Sequence, residues 1–202
     1  CVDITGERIA APAEVIADFR HASATTPEFK EWFEEGVTPA GAPELLPARW
    51  LCHALGLRHG TAHLILVSAD ERKDVLVQVR SMKKIEAPGC FDLPVAGHMD
   101  GLQTYAQTLR KEAAEELALD VGLLAGLTEN GGYAHSNHST ESLMVNVEYH
   151  RVYSGQIRRD DIPRLKPDPD EVAAILLLPG DELAQMMAAH PDRFASGIVD
   201  TL

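Results

Sequence analysis

A single long helical pattern, residues 103–119, stands among much shorter strand patterns and constrains the fold more than any other feature of the chain. This stretch is dense in Ala, Leu, Glu and Lys, which favour helix. Short runs of alternating or continuous apolar residues predict strands around it. These runs are Ala62–Ser68, Asp74–Arg80, Leu93–Ala96, Ser142–Tyr153 and Glu171–Leu178. Because strands and helices mix without regular βαβ alternation, the sequence predicts an α+β fold.

The remaining segments predict how the chain is divided. Residues 1–49 predict an N-terminal extension, with a short hairpin and helices, that packs on a main domain at residues 50–202. The stretch Val37–Pro47 is rich in Pro, Gly and Ala and predicts the loop near this boundary. A second loop is predicted at Gly131–Thr140, and a further helix at Asp181–His190.

Charge and cysteine usage argue against several classes of protein. The chain of 202 residues carries a formal net charge of -13, which disfavours binding to a nucleic acid polymer or to an anionic membrane. Its longest apolar runs are too short to span a bilayer, and no leader is expected. Cys1, Cys52 and Cys90 form no CxxC pair. We therefore expect neither a disulfide framework nor a cysteine-rich zinc site, and we expect a cytoplasmic location.

Three glutamates lie on one face of the long helical pattern. Glu112, Glu115 and Glu116 are spaced i, i+3 and i+4, so their like charges repel one another. Oxygen ligands in such a cluster are what a hard cation such as Mg²⁺ prefers. The alternative is an ordinary solvated face of a helix rich in Ala, Glu and Lys.

The segment from Gly97 to Leu119 resembles the Nudix box, G-x5-E-x7-R-E-U-x-E-E-x-G-U, in which U is aliphatic. In this register Gly97 matches the first glycine, and the three glutamates of the helix match those at the end of the box. Three positions depart from the pattern: Gln103 replaces the first Glu, Lys111 replaces the Arg and Ala118 replaces the second Gly.

Residues outside the box extend the resemblance. Arg80 and Lys84 lie in a segment similar to the one that precedes the box in Nudix proteins like isopentenyl-diphosphate isomerase. The similarity runs from about Trp50 to Phe194. It implies the Nudix fold, a mixed β-sheet sandwiched between helices (α/β/α).

The resemblance also implies an activity and the residues that perform it. We expect a hydrolase that uses Mg²⁺ or Mn²⁺ to break the diphosphate bond of a small organic or nucleoside diphosphate. The implied metal ligands are the backbone carbonyl of Gly97 and the side chains of Glu112, Glu115 and Glu116. Glu115 and Glu116 also act in catalysis, with Glu141 as the candidate base and Glu148 as its alternative. The alternative for both Glu141 and Glu148 is an ordinary surface carboxylate with no catalytic role.

Cationic and polar residues near the box are candidates for substrate binding and support. Arg80, Lys84 and His98 are candidate substrate-binding residues, because a cation matches phosphate charge that a metal leaves unneutralised. A solvated basic loop is the alternative for Arg80 and Lys84. Gln103 and Lys111 occupy positions that, in the family, orient the metal-binding glutamates.

The histidines of the chain raise the question of a zinc site. His53, His59 and His63 are close together in the sequence. However, the strand predicted to begin at Ala62 puts His59 and His63 on different elements, and no third ligand has suitable spacing. We therefore do not expect zinc.

Two other functions remain open. An isopentenyl-diphosphate isomerase is disfavoured because Ala96 occupies the position where the resemblance implies a proton-transferring cysteine. A catalytically weak Nudix domain that binds a nucleotide or a partner is compatible with the changes at Gln103 and Lys111. A homodimer is also left open.

Overall fold

The computed structural model describes residues 52–53, 58–84, 86–100, 103–138 and 145–202. The predicted extension at residues 1–49 lies outside this part of the chain, and so does the candidate base Glu141. The boundary at residue 50 and the role of Glu141 therefore stay predictions.

Seven strands and three α-helices follow one another in the described chain. The strands are β1 (Arg58–Ser68), β2 (Val75–Arg80), β3 (Phe91–Asp92), β4 (Val95–His98), β5 (Ala125–His138), β6 (Val145–Ile157) and β7 (Val172–Leu178). The helices are α1 (Tyr105–Leu117), α2 (Gly180–Ala189) and α3 (Ser196–Thr201), with short 3₁₀ turns at Val121–Leu123, Arg159–Arg164 and Pro191–Arg193. None of the described helices is long and apolar enough to cross a membrane.

The seven strands form one sheet. Its order is β3-β2-β1-β6-β5, with β4 paired to β1 and β7 paired to β2. Strand β2 is antiparallel to β1, where Leu66 lies opposite Leu76, and to β7, where Val77 lies opposite Leu176. A mixed sheet accompanied by helices confirms the α+β class predicted from the sequence.

The prediction of a loop at Gly131–Thr140 is wrong for most of these residues, because strand β5 continues to His138. This segment's two glycines, Gly131 and Gly132, and its one asparagine, Asn137, are residue types typical of turns. In the structure Gly132 has another use. A Cβ there would lie 2.3 Å from the carbonyl oxygen of His150, so glycine lets the backbones of β5 and β6 approach closely.

The chain divides into two compact units. The first consists of the described residues before Ala62 together with those described within His98–Thr104 and Gly132–His150. The second consists of Ala62–Gly97, Tyr105–Gly131 and Arg151–Leu202. In the first unit, Cys52 is buried and disulfide-bonded, with its partner outside the described residues, a bond that the sequence did not predict.

The hydrophobic core of the second unit contains buried residues from strand β1 and from one face of helix α1. Ala62, Leu64 and Leu66 of β1 are fully buried, as the period of two in a strand dictates. Helix α1 buries the stripe Thr108, Leu109, Ala113, Glu116 and Leu117, a spacing that follows the helical period. One member of this buried stripe is a glutamate, so the position of α1 determines the environment of a candidate ligand.

A residue with positive φ ends helix α1. Ala118 takes a φ of 51°. In this turn the Ala118 N–H donates to the Ala114 oxygen at 3.0 Å, and the Leu119 N–H donates to the Ala113 oxygen at 2.9 Å. The left-handed conformation costs an L-residue roughly 1–2 kcal/mol. This cost gives a physical reason for the glycine that the Nudix pattern has at this position.

We expect Ala118→Gly to raise the free energy of unfolding by about 1 kcal/mol, because glycine adopts this conformation without the Cβ clash. Urea denaturation followed by circular dichroism measures the change. Ala114→Gly, at an exposed position inside the same helix, is the matched control and should lower stability by about 1 kcal/mol. A destabilising effect of Ala118→Gly would contradict strain at this turn.

Candidate functional site

The carboxylate of Glu112 lies directly against Gly97. A Cβ on Gly97 would be 2.1 Å from Glu112 Cγ and 2.4 Å from Glu112 Oε2. Both distances are far below van der Waals contact, so the approach requires glycine. Strand β4 and helix α1 thus bring together two residues that the sequence placed in one metal site.

Glu116 is the buried carboxyl of the group, with 6% of its surface exposed. Gln78 Nε2 donates a hydrogen bond to Glu116 Oε2 at 3.4 Å. Burial raises the pKa of Glu116 well above its usual value, and the nearby Glu112, Glu171 and Asp92 charges raise it further, while Lys84 opposes them. A cation bound here would be compensated by several carboxylates.

Glu115 differs from the other two glutamates, because 58% of its side chain is exposed. Lys111 Nζ lies 3.3 Å from Glu112 Oε1 and 3.1 Å from Glu115 Oε2. Burial lowers the pKa of Lys111, but the two carboxylates outweigh burial and the net shift is upward. Lys111 therefore touches the candidate ligands themselves. Its predicted pairing with Gln103, which belongs to the first unit, stays a prediction.

The two predicted phosphate-binding cations each have a carboxylate partner. Arg80 Nη1 donates to Asp92 Oδ2 at 2.8 Å, and Lys84 Nζ donates to Glu171 Oε2 at 2.6 Å. Burial raises the pKa of Asp92, and Arg80 opposes that shift. The sequence did not predict these ion pairs, because Asp92 is 12 positions from Arg80 and Glu171 is 87 positions from Lys84.

The first unit contains a second group of candidate ligands, which we name the His–Glu centre. It consists of one ligand atom from each of His53, His59, His98 and Glu148, all within 4.8 Å of one another. The three imidazole rings lie with centroids 4.6 to 5.2 Å apart. Three imidazole nitrogens and a carboxylate oxygen are a donor set that Zn²⁺ and related transition metals accept.

Glu148 links the histidines of the centre. Its Oε1 lies 2.9 Å from His98 Nε2 and 3.3 Å from His59 Nε2. Burial alone would raise the pKa of Glu148, but the hydrogen bonds and charges of His59 and His98 outweigh it and hold this pKa well below its usual range. The carboxylate is therefore ionised and ready to act as a ligand.

Asn146 orients the third imidazole of the centre. Its Oδ1 is hydrogen-bonded to Nδ1 of His53. Because an amide oxygen only accepts, Nδ1 carries the proton and the lone pair of the ring is on Nε2. A carbonyl that accepts from the distal nitrogen is the usual way in which proteins fix the tautomer of a ligating histidine.

The expectation that His53 and His59 lack further ligands nearby is wrong. His98, predicted to bind substrate, and Glu148, predicted as an alternative base, both belong to the centre. His63 is in the second unit, where its Nδ1 lies 3.0 Å from Thr201 Oγ1. The ligands are too far apart in the sequence for spacing to reveal them.

Comparison with known sequences identifies relatives over most of the chain. A family model described as NUDIX domain matches residues 57–196. Isopentenyl-diphosphate Delta-isomerase of Streptomyces coelicolor is 30% identical over 170 residues, covering 84% of this chain and 78% of that protein. The enzyme of the same name from Streptomyces griseus is 30% identical over 162 residues, covering 80% and 76%.

Comparison with solved structures shows a shared fold. The NUDIX domain of Shewanella oneidensis NrtR, complexed with ADP ribose, matches with a TM-score of 0.53 at 14% identity, covering 71% of this chain and 82% of that one. A NUDIX hydrolase from Alicyclobacillus acidocaldarius matches with a TM-score of 0.53 at 13% identity, covering 70% and 87%. These neighbours confirm the fold expected from the sequence.

In the absence of metal, we expect the free energy of unfolding of Glu116→Gln to increase relative to that of wild type as pH rises above about 4.5. The pKa of Glu116 is raised above 4.5 in the folded state, so the folded chain retains a proton that the unfolded chain releases. The stability due to this proton is complete below about pH 4.5 and is lost as pH rises through the folded pKa, by up to about 1.4 kcal/mol per pH unit. Glutamine has no such loss.

Thermal and urea denaturation in EDTA between pH 4 and pH 9, on the order of one point per unit, tests this expectation. Glu115→Gln, at an exposed position on the same helix, is the matched control and should follow the wild-type pH dependence. If wild type and Glu116→Gln changed in parallel with pH, the assignment of a protonated Glu116 would be wrong.

Proposed function

Because this chain belongs to the Nudix family, we propose that it is a metal-dependent hydrolase that breaks the diphosphate bond of a small organic or nucleoside diphosphate. The observation that carries the proposal is the contact between Glu112 and Gly97, which leaves no room for a side chain at residue 97. A carboxylate held against the backbone of strand β4, near a second, buried carboxyl, is suited to binding a cation.

The donor chemistry of helix α1 fits Mg²⁺ or Mn²⁺. Glu112 and Glu116 offer oxygen ligands, which hard cations prefer, and Glu115 lies on the same face. A buried glutamate whose neighbours are further carboxylates has a high energetic cost when ionised, and a divalent cation would offset that cost. The backbone carbonyl of Gly97 remains a candidate fourth ligand.

Hydrolysis requires the protein to hold the phosphates and to take up one proton. A bound divalent cation supplies charge neutralisation and Lewis acidity toward the attacking water. Water forms a bond to one phosphorus while the bridging P–O bond breaks, and the proton of the water passes to a carboxylate. Glu115 and Glu141 are the candidates for this base. Lys84 is the candidate phosphate ligand, since its ammonium can contact Glu171 and a phosphate together.

The His–Glu centre adds a second proposed metal site, within the first unit. Its donor set of three imidazoles and a carboxylate suits Zn²⁺ or Mn²⁺ better than Mg²⁺, which prefers oxygen ligands alone. The hydrogen bond that His53 Nδ1 donates to Asn146 Oδ1 is the supporting contact that a ligating histidine needs. The protein would then bind Zn²⁺ or Mn²⁺ at the His–Glu centre in addition to the metal held by the glutamates of helix α1.

A diphosphate is the common chemical feature of the molecules associated with the relatives. The Streptomyces enzymes are named for isopentenyl diphosphate, and the Shewanella domain holds ADP ribose, in which a diphosphate joins two groups. This supports the diphosphate as the recognised group and leaves the organic part to experiment. A formal net charge of -13 supports a small-molecule substrate rather than a nucleic acid polymer.

We expect strictly metal-dependent release of phosphate-containing products from at least one diphosphate. The panel contains isopentenyl diphosphate, ADP-ribose and nucleoside diphosphates, each with Mg²⁺ or Mn²⁺. Glu116→Gln removes a charged ligand, and Gly97→Ala displaces Glu112. Each should lower turnover by about 100-fold or more, because changes one layer behind a metal already cost roughly 10–100-fold.

Gly180→Ala is the matched control for Gly97→Ala. A Cβ at residue 180 would meet only Val75 Cγ2, at an ordinary 3.9 Å, so turnover should be unchanged. Full activity of Glu116→Gln, or of wild type in excess EDTA, would refute the metal assignment. Binding of a panel member without turnover would favour the alternative of a catalytically weak Nudix domain.

Isomerisation of isopentenyl diphosphate is the second candidate function, and the names of the curated relatives favour it. That reaction moves a proton onto one carbon and removes a proton from another, so it needs two proton-transferring groups. Ala96, which lies on β4 directly before Gly97, has no transferable proton. We therefore rank isomerisation below hydrolysis.

We expect no enzyme-dependent deuterium in the allylic product when the protein is incubated with isopentenyl diphosphate in deuterated water. The reason is the methyl side chain at residue 96, which cannot exchange a proton. Mass spectrometry of the product measures the label, and an authentic isomerase run in parallel is the positive control. Significant labelling at neutral pH would reverse the ranking of the two functions.

A further inference from the structure

Glu148 shares only one carboxylate oxygen with the histidines of the His–Glu centre. Its Oε1 lies near both His98 Nε2 and His59 Nε2, at 2.9 and 3.3 Å. Its Oε2 faces a different histidine, His150, whose Nε2 is 3.7 Å away. His150 follows Glu148 by two residues on β6, so both side chains project from the same face of the strand.

His150 is held in place from several sides. It is buried, and its Nδ1 lies 2.5 Å from Thr61 Oγ1. The ring of Tyr133 packs against it with centroids 4.7 Å apart. Gly132 lets β5 approach the backbone of His150 closely, since a Cβ there would lie 2.3 Å from the His150 oxygen. These contacts limit the movement of the imidazole away from Glu148.

The partners of His150 determine which nitrogen carries its proton. An ionised carboxylate only accepts hydrogen bonds, so the nitrogen that faces Glu148 is the N–H. Nδ1 is then the acceptor, and the hydroxyl of Thr61 donates to it. The neutral Nε2–H tautomer presents an N–H toward Glu148 and a lone pair toward the hydroxyl of Thr61. The 3.7 Å separation is longer than a hydrogen bond, so a direct hydrogen bond would require the carboxylate to rotate toward the imidazole.

We propose that His150, oriented by Thr61, is a positioning residue that holds Glu148 as a one-oxygen ligand of the His–Glu centre. His150 takes Oε2, and Oε1 remains directed at the metal together with His53, His59 and His98. The inference rests on the metal site put forward under the proposed function. Three nitrogens and one oxygen make the four-coordinate set that Zn²⁺ prefers, whereas a released Oε2 would add a fifth ligand.

The test uses Co²⁺ as the probe, because its visible absorption is strong in four-coordinate sites and weakens when a further ligand binds. The full chain is freed of metal and titrated with Co²⁺, and Zn²⁺ competition gives the relative affinity. For His150→Phe we expect about 10–100-fold weaker Co²⁺ binding, together with weaker absorption as both oxygens of Glu148 bind. His150→Gln retains an N–H and should restore part of both properties.

Thr61→Val tests the tautomer without removing the imidazole. Valine has nearly the shape of threonine but cannot donate to Nδ1, so the same spectral change should occur to a smaller extent. His63→Phe is the matched control, since His63 is also buried and also contacts a threonine hydroxyl, that of Thr201. It should leave Co²⁺ affinity and absorption unchanged. Thermal denaturation verifies that each variant is folded.

The outcomes separate the two levels of the proposal. If wild type binds no Co²⁺, the His–Glu centre is refuted and this inference fails with it. If wild type binds Co²⁺ and folded His150→Phe has the same affinity and spectrum, the role of His150 is refuted while the centre stands. Equal losses in His150→Phe and His63→Phe would also refute a specific role. If His150→Phe does not fold, Thr61→Val decides the question.

Discussion

A buried carboxyl on helix α1, that of Glu116, is the constraint on which the second unit depends. Glu116 belongs to the same buried stripe as the apolar residues that attach α1 to the core, so the helix cannot pack without taking this carboxyl out of water. The surrounding structure responds in two ways. Lys111 bridges Glu112 and Glu115 at the surface, and the buried carboxyl acquires a raised pKa. A site with more carboxylates than cations is the electrostatic condition for binding a divalent cation.

The first unit also contains a buried acidic group, but its charge is stabilised in a different way. There a carboxylate, Glu148, is buried among imidazoles, and its pKa is held low because His59 and His98 stabilise the charged form. One acid surrounded by nitrogen donors favours transition metals, whereas the glutamates of α1 favour hard cations. The two sites therefore differ in ligand chemistry, and they can be distinguished by the metals that bind to each.

Elements with strong local signals were predicted well. Helix α1 was expected at residues 103–119 and spans Tyr105–Leu117, because its composition and period act over adjacent residues. Strands β2 and β7 were likewise predicted within one residue at either end. Strand β5 was missed, since its glycines and asparagines have the composition of a turn. Only the neighbouring strand explains Gly132, whose missing side chain makes room for the His150 carbonyl.

The sequence by itself determined that Glu112, Glu115 and Glu116 share one helical face, since helix geometry fixes that relation from spacing alone. It also identified Gly97 as their companion, through the pattern of the box. The tertiary structure decided the environment of each: Glu116 is buried, Glu115 is exposed and Glu112 rests on Gly97. It alone assembled the His–Glu centre. Ligands separated by tens of residues meet only when strands pair, and no local period records such a meeting.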